Sequence, residues 1–325
     1  MDKKKIIRAC TVSMSIGFVK GMLQDLEKKY DVVLVSSPGP EFDEAIAQYD
    51  VRGVPVPMER HMALFKDLKS LFKLLILFRK ERPVMVHSIT PKAGLLCMLA
   101  AWLAKVPVRV HTFTGLVWPT LTGLRRLILM TTDKITCACA THVIPEGEGI
   151  KNDLLNNNIT NKQIRVLGYG NIRGVDLVKF SRRKSIVQKA DTLKTQNVFI
   201  FLFVGRIVKD KGVNELVAAF LKLYEEYPNT RLWLIGHYEN DLNPIDVNTQ
   251  QFIIESQGIN AIGTVHGEDL VSYYAAADCF VLPSYREGFP NTVLEAGAMD
   301  LPCIVTDING SREIIKQGEN GINFI

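Results

Sequence analysis

The chain has 325 residues and a mass of 36.4 kDa, and 47% of its residues are hydrophobic and 22% charged. This composition is typical of a soluble globular protein, and the length accommodates two ordinary domains. The longest apolar runs, such as "LLCMLAAWLA" at residues 95–104, are too short to span a bilayer. The first residues, "MDKKKIIRACTVSM", are typical of a first strand rather than of a signal peptide. We therefore expect a cytoplasmic protein that is not integral to a membrane.

The net charge of +5 is unevenly distributed along the chain. Residues 1–165 carry 24 Lys and Arg against 15 Asp and Glu, a balance of +9, and the remaining residues have a balance of −4. The basic half suggests an anionic partner, which could be a membrane surface, a lipid phosphate or a nucleic acid. Ordinary surface charge explains the same numbers equally well. Nucleic acid is disfavoured, because the basic residues are not interleaved with aromatic residues.

The six cysteines are scattered and lie mostly inside apolar runs, without any Cys-x-x-Cys pair. Cys137 and Cys139 have no cluster of His or Cys nearby in the sequence that would complete a zinc site. The pattern predicts buried free thiols in a reducing compartment rather than disulfides.

Short β-branched runs alternate with longer helical patterns through the first half of the chain. The predicted strands there are Ile6–Val12, Val32–Ser36, Val84–Ser88, Val108–Thr112, His142–Ile144 and Ile164–Leu167. The predicted helices include Val19–Lys29, Leu64–Arg79, Ala93–Ala104 and Leu121–Lys134. This alternation predicts a parallel sheet with helices on both faces.

The glycine-rich and then charged stretch Leu167–Ser185 predicts a connection between two domains, residues 1–168 and 169–325. After it, the predicted strands are Phe199–Val204, Arg231–Ile235, Cys279–Leu282 and Cys303–Thr306, and the predicted helices are Val213–Glu226, Asp269–Ala276 and Thr292–Met299. The fold class is α/β, with two doubly wound domains in tandem that face a cleft. Ligands of such sheets bind at the carboxyl ends of the strands, where the long loop Gly236–Gln250 is also expected.

Two cations follow the strand that ends at Val204. In "FVGRIVKDKG" Gly205 leaves room for a close approach, and Arg206 and Lys211 lie on the loop before the next helix. A guanidinium and an ammonium beside a helix N-terminus suit a diphosphate. Taken alone, the stretch is explained as well by two solvated surface cations.

A second loop, "SYREGFPNTVLEA" at residues 284–296, places glutamates on both sides of a predicted helix start. Pro290 suits the first turn, and the N–H groups of Asn291, Thr292 and Val293 are candidate donors to a phosphate or a sugar hydroxyl. Glu295 lies on the face of Asn291, where its carboxylate can accept hydrogen bonds from a vicinal diol, and Glu287 would reach a second group. A nucleotide diphosphate sugar fits this pattern. Surface acids that cap a helix explain one glutamate but not the whole set.

These two stretches resemble the E-x7-E and arginine–lysine signatures of the retaining family 4 glycosyltransferases, which have the GT-B fold. The resemblance covers most of the second half, from residue 203 onwards. It implies that Arg206 and Lys211 hold the donor diphosphate, Glu295 the ribose hydroxyls and Glu287 the donor sugar. It also implies donor contacts from Gly205, the backbone of Gly288, Phe289, Pro290, Asn291, Thr292 and Val293, and the loop at His266.

In the first half, "HSITPKAGLLCMLAAWLAKVPVRVHTFTGLVW" at residues 87–118 resembles the subgroup that builds bacterial surface polysaccharides and glycan precursors on polyprenyl diphosphate. One member type of that subgroup adds N-acetylgalactosamine to lipid-linked diacetylbacillosamine. Thr90 and Lys92 lie at a predicted helix N-terminus, which suits a phosphate of the lipid-linked acceptor. Lys92 can equally be a plain surface lysine.

Two further residues of the first half are carried over from the resemblance. Gly17 lies on the loop after the first strand, where the family's glycine-bearing loop approaches the donor phosphate, although the commoner double glycine is absent. His111 ends the predicted strand "VRVH" and would point into the cleft, where related enzymes have a histidine near the reacting sugar. A structural role is the more usual one for a histidine at a strand end.

No Asp-x-Asp motif occurs in the sequence, and no His, Asp and Glu grouping has metal-ligand spacing. We therefore expect no cofactor and no metal, so that Arg206, Lys211 and the helix N-terminus neutralise the leaving diphosphate. The resemblance implies retention of anomeric configuration. Hydrolysis is disfavoured, because Glu287 and Glu295 are assigned to different ends of the ligand rather than to both sides of one bond.

The helix predicted within "ALFKDLKSLFKLLILFRK", residues 63–80, combines an apolar face with several basic residues. Such a helix can lie shallowly on anionic lipid headgroups, which would place the protein peripherally on the cytoplasmic face of the inner membrane. A core helix with one solvated side is the alternative.

Together these features predict a transferase that moves a hexose or N-acetylhexosamine from a UDP-sugar to a polyprenyl-diphosphate-linked saccharide, with the donor in the second domain and the acceptor in the first. A nucleotide-sugar 2-epimerase of the same fold and a non-catalytic nucleotide-sugar binding module are the alternatives. The family usually continues past "ENGINFI" with a helix that crosses back to the first domain. This chain ends at Ile325 and is expected to lack that helix.

Overall fold

The computed structural model describes residues 3–241 and 243–324. The chain divides into two compact units, Met1–Arg173 and Gly174–Ile325, here called the N-terminal and C-terminal units. The division follows Arg173, whereas the sequence places it after Gly168.

The N-terminal unit alternates strands and helices. Its strands are β1 (Lys4–Ala9), β2 (Tyr30–Ser36), β3 (Arg52–Pro55), β4 (Met85–Ile89), β5 (Val108–Phe113) and β6 (His142–Pro145). Its helices are α1 (Leu23–Lys29), α2 (Pro40–Tyr49), α3 (Leu64–Glu81), α4 (Pro91–Leu103), α5 (Gly123–Cys139) and α6 (Glu148–Asn156), with 3₁₀ turns at Ser13–Phe18 and Lys20–Met22.

The C-terminal unit has the same alternation. Its strands are β7 (Phe199–Val204), β8 (Thr230–Ile235), β9 (Ile259–Gly263), β10 (Cys279–Leu282), β11 (Cys303–Thr306) and β12 (Gly321–Phe324). Its helices are α7 (Lys184–Leu193), α8 (Val213–Glu226), α9 (Val247–Glu255), α10 (Gly267–Ala276), α11 (Asn291–Ala298) and α12 (Ser311–Ile314), with a 3₁₀ turn at Lys209–Lys211.

Both sheets are parallel and share one strand order. The first runs β3-β2-β1-β4-β5-β6, and the second, read from its other edge, runs β9-β8-β7-β10-β11-β12. In each sheet the first and fourth strands of the unit are neighbours, so the order reverses between β1 and β4 and again between β7 and β10. Such a switch point is where doubly wound sheets bind ligands. The predicted pair of doubly wound α/β domains is confirmed.

The cores lie on the faces of these sheets. In β1 and β2 alternate residues enter different clusters: Ile7 and Val33 pack with residues of α3 to α5, whereas Ile6 and Leu34 pack with residues of α1 and α2. The near-continuous apolar strands follow from this burial on two faces. All six cysteines are buried and free, as predicted.

The main errors of the sequence prediction concern the sheet edges and the connection. β3, β9 and β12 were not predicted, and all three are edge strands. The predicted strand Ile164–Leu167 is wrong: these residues form no strand, because β6 is already the edge of the first sheet. Ile164 nevertheless packs into the core, so its apolar character reflects burial rather than strand pairing.

The prediction that His111 ends a strand is wrong, and its side chain is buried. β5 continues to Phe113, and His111 is only 1% exposed. Its Nδ1 lies 2.8 Å from the hydroxyl of Ser88, and Gly94 of α4 packs directly against its ring. Burial lowers the pKa of His111 to about 3, so the ring is neutral near pH 7. The residue therefore belongs to the contact between the sheet and α4.

The Gly94 contact predicts a stability effect. A Cβ at Gly94 would lie 2.8 Å from Nε2 and 2.9 Å from Nδ1 of His111. We expect Gly94→Ala to lower the free energy of unfolding by about 1–3 kcal/mol, the usual cost of overpacking. Gly297→Ala is the control, because that helical glycine of α11 has open space around it and the change should be neutral or stabilising. Calorimetric unfolding that shows equal effects for both variants would contradict this packing.

The neutral His111 ring predicts a pH dependence. Its pKa in the fold is about 3, against a reference value of 6.5, so below pH 6.5 the unfolded chain binds a proton that the fold does not. Stability is therefore lost as the pH falls from 6.5 towards 3, by at most about 1.4 kcal/mol per pH unit. In His111→Gln the unfolding free energy, measured by urea titration between pH 7 and pH 4, should fall less steeply than in the parent. Equal slopes would be inconsistent with a buried neutral ring.

Candidate functional site

The candidate site of the C-terminal unit is built on two loops that lie side by side. β7 and β10 pair in parallel, with Phe201 opposite Cys279 and Leu202 opposite Phe280. Parallel strands end at the same edge of the sheet, so the loops that follow Val204 and Leu282 emerge next to each other. The first loop carries Arg206 and the second carries the start of α11.

Lys211 and Glu287, which are predicted to bind different parts of the donor, contact each other across these loops. Lys211 ends the 3₁₀ turn before α8, and its Nζ donates a hydrogen bond to Glu287 Oε1 across the two loops. Both side chains are largely buried, at 20% and 11% exposure. A cation predicted to bind phosphate and a carboxylate predicted to bind sugar are therefore in direct contact.

Arg206 has a partner that the sequence analysis did not identify. Its Nη1 donates to Oε2 of Glu239, which is 10% exposed and lies on the loop after β8. The backbone fixes this pairing, because Ile207 N–H donates to the His237 carbonyl at 2.9 Å and Ile207 bridges Tyr238. Glu239 lies in the predicted loop Gly236–Gln250, but its contact with Arg206 could not be known without the order of β7 and β8.

Gly205 is held closely between its neighbours. Its N–H donates to the Ile235 carbonyl at 2.9 Å, and Gly236, with φ +147°, leaves no room for a Cβ against the carbonyl of Gly205. The two glycines thus allow the loops after β7 and β8 to run in contact up to the Arg206–Glu239 pair.

The start of α11 differs slightly from the prediction. The helix begins at Asn291, with Pro290 as its N-cap, and the Val293 N–H donates to the Pro290 carbonyl at 3.2 Å. The expectation that the Val293 N–H is available to a ligand is therefore wrong, because the first helical turn uses it. Thr292 is half-buried at this end of the helix.

Glu295 is buried on the inner side of α11. The residue is 8% exposed, and its Oε2 accepts a hydrogen bond of 3.1 Å from the hydroxyl of Tyr274 on α10. This contact orients the carboxylate predicted to bind ribose. Tyr274 is a supporting residue that the sequence analysis missed, because its apolar surroundings are typical of an ordinary core tyrosine.

The loop after β11 packs against the loop after β10. Gly310, after β11, has φ +73°, and a Cβ there would overlap the carbonyl of Gly288 and approach the backbone of Phe289. Thr306 donates to the Ser284 carbonyl at 2.6 Å. The segment from Gly288 to Pro290 is buried against this loop. His266 is exposed at the N-cap of α10, on the loop after edge strand β9.

The candidate residues of the N-terminal unit follow β1 and β4, with Thr90 as the N-cap of α4 and Lys92 in its first turn. Thr90 has φ +78°, which is uncommon for a β-branched residue, and its Oγ1 lies 2.7 Å from that of Thr11. Lys92 is 14% exposed and forms an ion pair of 2.8 Å with Asp67 of α3, so it is not a plain surface lysine. Gly17 lies in a 3₁₀ turn with open space beside its Cα.

No helix in the described parts of the chain, residues 3–241 and 243–324, is both long and apolar enough to cross a membrane. Within the same residues, no three His, Cys, Asp or Glu side chains are grouped so that they could hold a metal ion. The roles assigned to the candidate residues in donor and acceptor binding stay predictions.

Two family models match the chain, one in each unit. Residues 19–170 match the glycosyl transferase 4-like domain, and residues 185–324 match glycosyl transferases group 1. Among solved structures, that of HepE from Anabaena with UDP-glucose superimposes with a TM-score of 0.79 over 98% of this chain and 85% of that chain, at 15% identity. This likeness shows the fold.

Relatives that match nearly the whole chain include two bacterial glycosyltransferases. The capsular polysaccharide biosynthesis glycosyltransferase CapM of Staphylococcus aureus is 38% identical over 99% of this chain and 83% of its own length. An Escherichia coli enzyme named UDP-Gal:alpha-D-GlcNAc-diphosphoundecaprenol alpha-1,3-galactosyltransferase is 30% identical over 98% of this chain and 84% of its own. The chain therefore belongs to the family 4-like, group 1 glycosyltransferases with the GT-B fold.

Proposed function

We propose that this glycosyltransferase moves a hexose or N-acetylhexosamine from a UDP-sugar to a saccharide on polyprenyl diphosphate, with retention of configuration. The product would serve bacterial surface polysaccharide or glycan precursor synthesis. The observation that carries the proposal is the contact of Lys211 with Glu287 at the switch point of the C-terminal sheet. The name of the Escherichia coli relative, which gives a UDP-sugar and a diphosphoundecaprenol-linked sugar, supports the classes of donor and acceptor, and the name of CapM supports a role in capsular polysaccharide synthesis.

The geometry suggests how the donor would bind. A diphosphate beside the loop after β7 would replace carboxylates as the partner of Arg206 and Lys211, because a phosphate offers the guanidinium the same bidentate pattern. Glu287 would then be free to accept hydrogen bonds from the sugar, and Glu295 from the ribose. In the transfer, the bond from C1 to the diphosphate oxygen breaks and the acceptor hydroxyl bonds to C1. The acceptor proton leaves with the UDP.

Charge stabilisation is the main contribution expected of the protein. Negative charge grows on the leaving diphosphate as the bond to C1 breaks, and Arg206 and Lys211 are already oriented by their acidic partners. The residues required for this role all belong to the protein, so we propose a transfer that needs no metal and no further cofactor. The N-terminal unit would bind the acceptor, with Thr90 and Lys92 close to its phosphates.

The first functional prediction concerns Arg206 and Glu287. A screen of radiolabelled UDP-sugars against polyprenyl-diphosphate saccharides should identify a transferred sugar, and Arg206→Ala and Glu287→Ala should each lower kcat/KM about 10²–10³-fold. Lys222→Ala is the control, because that lysine is exposed on α8. If both site variants transfer sugar as fast as the parent, the site assignment is wrong. Release of free epimerised sugar nucleotide would favour a 2-epimerase, and UDP binding without transfer a binding module.

A membrane surface is proposed as a further partner, with the protein bound peripherally on the cytoplasmic face of the inner membrane. α3 buries Ser70, Leu74 and Phe78 but exposes a row of apolar side chains at spacings of four residues. The row consists of Leu64, Leu68, Phe72 and Ile76, with exposures of 83%, 52%, 56% and 65%, and Phe65 beside it is 91% exposed. A core helix with one solvated side would expose polar residues there instead.

The charges beside this row are basic. Lys66, Lys69 and Lys73 are exposed on the same helix, as are Arg79 and Lys80 at its end. Apolar side chains that insert between lipids and cations that meet anionic headgroups are the two contributions to interfacial binding. The exposed row and the lysines therefore favour an anionic bilayer over a neutral one.

The second functional prediction is a change in vesicle binding. The parent should sediment with vesicles that contain phosphatidylglycerol and much less with pure phosphatidylcholine. Phe65→Ser combined with Phe72→Ser should weaken binding at least about ten-fold, because each buried Phe contributes about 1.5–3 kcal/mol. Ile254→Ser, at a residue 74% exposed on α9, is the control. Unchanged binding of the double variant would show that α3 does not contact the bilayer.

A further inference from the structure

Two ion pairs, on consecutive residues, connect the loops after β7 and β10. Lys211 pairs with Glu287, and the preceding residue of each loop forms the second pair, Asp210 with Arg286. Nε of Arg286 lies 2.8 Å and Nη2 2.5 Å from Oδ2 of Asp210. The four charges therefore form a reciprocal arrangement, with an acid and a base on each loop.

This arrangement admits one register only. If one loop slipped so that Lys211 faced Arg286, or Asp210 faced Glu287, like charges would meet. Repulsion between like charges disfavours these alternatives. The two pairs therefore fix the relative position of the loops in addition to attracting them. Because the side chains of Arg286 and Asp210 are 31% and 30% exposed, solvent screens their attraction, and we assign the pair a geometric rather than a stabilising role.

Neighbouring contacts hold the same two loops together. The Tyr285 N–H donates to the Asp210 carbonyl at 2.9 Å, and the Tyr285 hydroxyl donates to Glu215 at 2.8 Å. That hydrogen bond to Glu215 also raises the pKa of Tyr285. Gly212, with φ +69°, lies so close to the Pro283 carbonyl that a Cβ would overlap it. The loops are thus joined by backbone, hydroxyl and ionic contacts around Asp210.

We propose that Asp210 and Arg286 are positioning residues for the donor: their pair holds the loops in register when Lys211 leaves Glu287 to bind a phosphate. This inference rests on the proposed function. When the diphosphate separates Lys211 from Glu287, one of the two side-chain ion pairs between these loops is lost. The Asp210–Arg286 pair does not depend on the ligand. It would keep Lys211 and Glu287 in the positions that the donor requires.

The test uses UDP as the probe and isothermal calorimetry as the measurement. Arg286→Ala should weaken UDP binding about ten-fold, within the range of couplings between contacting charged residues. Arg286→Lys should recover part of the loss, because an ammonium keeps the charge but not the planar fork. Arg52→Ala, which removes an ion pair of 2.6 Å to Glu81 in the N-terminal unit, is the matched control and should leave the affinity unchanged.

Repeating the substitution in a Lys211→Gln protein shows whether Arg286 positions Lys211 or only supports the fold. If Arg286 acts through Lys211, then Arg286→Ala made in a Lys211→Gln protein should weaken UDP binding less than about two-fold. A full ten-fold loss in that background would overturn the positioning role, since the effect would then not pass through Lys211. Thermal unfolding of each variant shows whether the fold is intact.

The outcomes also separate this inference from the proposed function. A parent protein that binds no UDP would contradict the proposed donor. A parent that binds UDP, together with an Arg286→Ala variant of equal affinity, would overturn the positioning role and leave the proposed donor standing.

Discussion

The parallel pairing of β7 with β10 is the constraint on which the candidate site depends. These strands are neighbours in space although β8 and β9 lie between them in the chain. The pairing brings the loop that carries Arg206 and Lys211 beside the loop that carries Glu287, although Lys211 and Glu287 are seventy-six positions apart. Loops at the edge of a rigid sheet hold side chains more precisely than a free loop could. Without this strand order, the same residues would be scattered surface charges.

Both cations assigned to the diphosphate form ion pairs in the structure. Each cation assigned to the diphosphate already has an acidic partner, Glu239 for Arg206 and Glu287 for Lys211. Unpaired cations in a half-buried site would pay a desolvation cost and repel each other. The acids remove that cost and orient the cations, so the proposed diphosphate would exchange one set of charged partners for another. The affinity for the proposed donor would then be a difference between two favourable interactions, which suits the proposed release of UDP.

The central strands and the site loops could be predicted from the sequence. The prediction failed where burial or strand pairing depends on contacts that the local residue pattern does not show. β7, β10 and β11 were predicted to the residue, because buried strands are short apolar runs bounded by loop residues. The edge strands β3 and β12, "RGVP" and "GINF", carry no such run. The residues Lys211 and Glu287 could be named from their motifs, whereas their partners Asp210, Arg286 and Glu239 depend on contacts between distant segments. The burial of His111 was missed because the local pattern of β5 does not show that Gly94 of α4 packs on its ring.

The two units share one strand order but differ in the side chains that connect their loops. Each sheet reverses its strand order between its first and fourth strands, and in each unit side chains connect the loops at that point. In the N-terminal unit the connection is a neutral pair of hydroxyls, Thr11 and Thr90, whereas in the C-terminal unit it is the ionic pair Lys211 and Glu287. The cation of the C-terminal unit lies within the connection itself, whereas Lys92 of the N-terminal unit lies two residues after Thr90 and pairs with Asp67 of α3. This difference supports the proposal that the diphosphate of the donor binds the C-terminal unit and the acceptor binds the N-terminal unit.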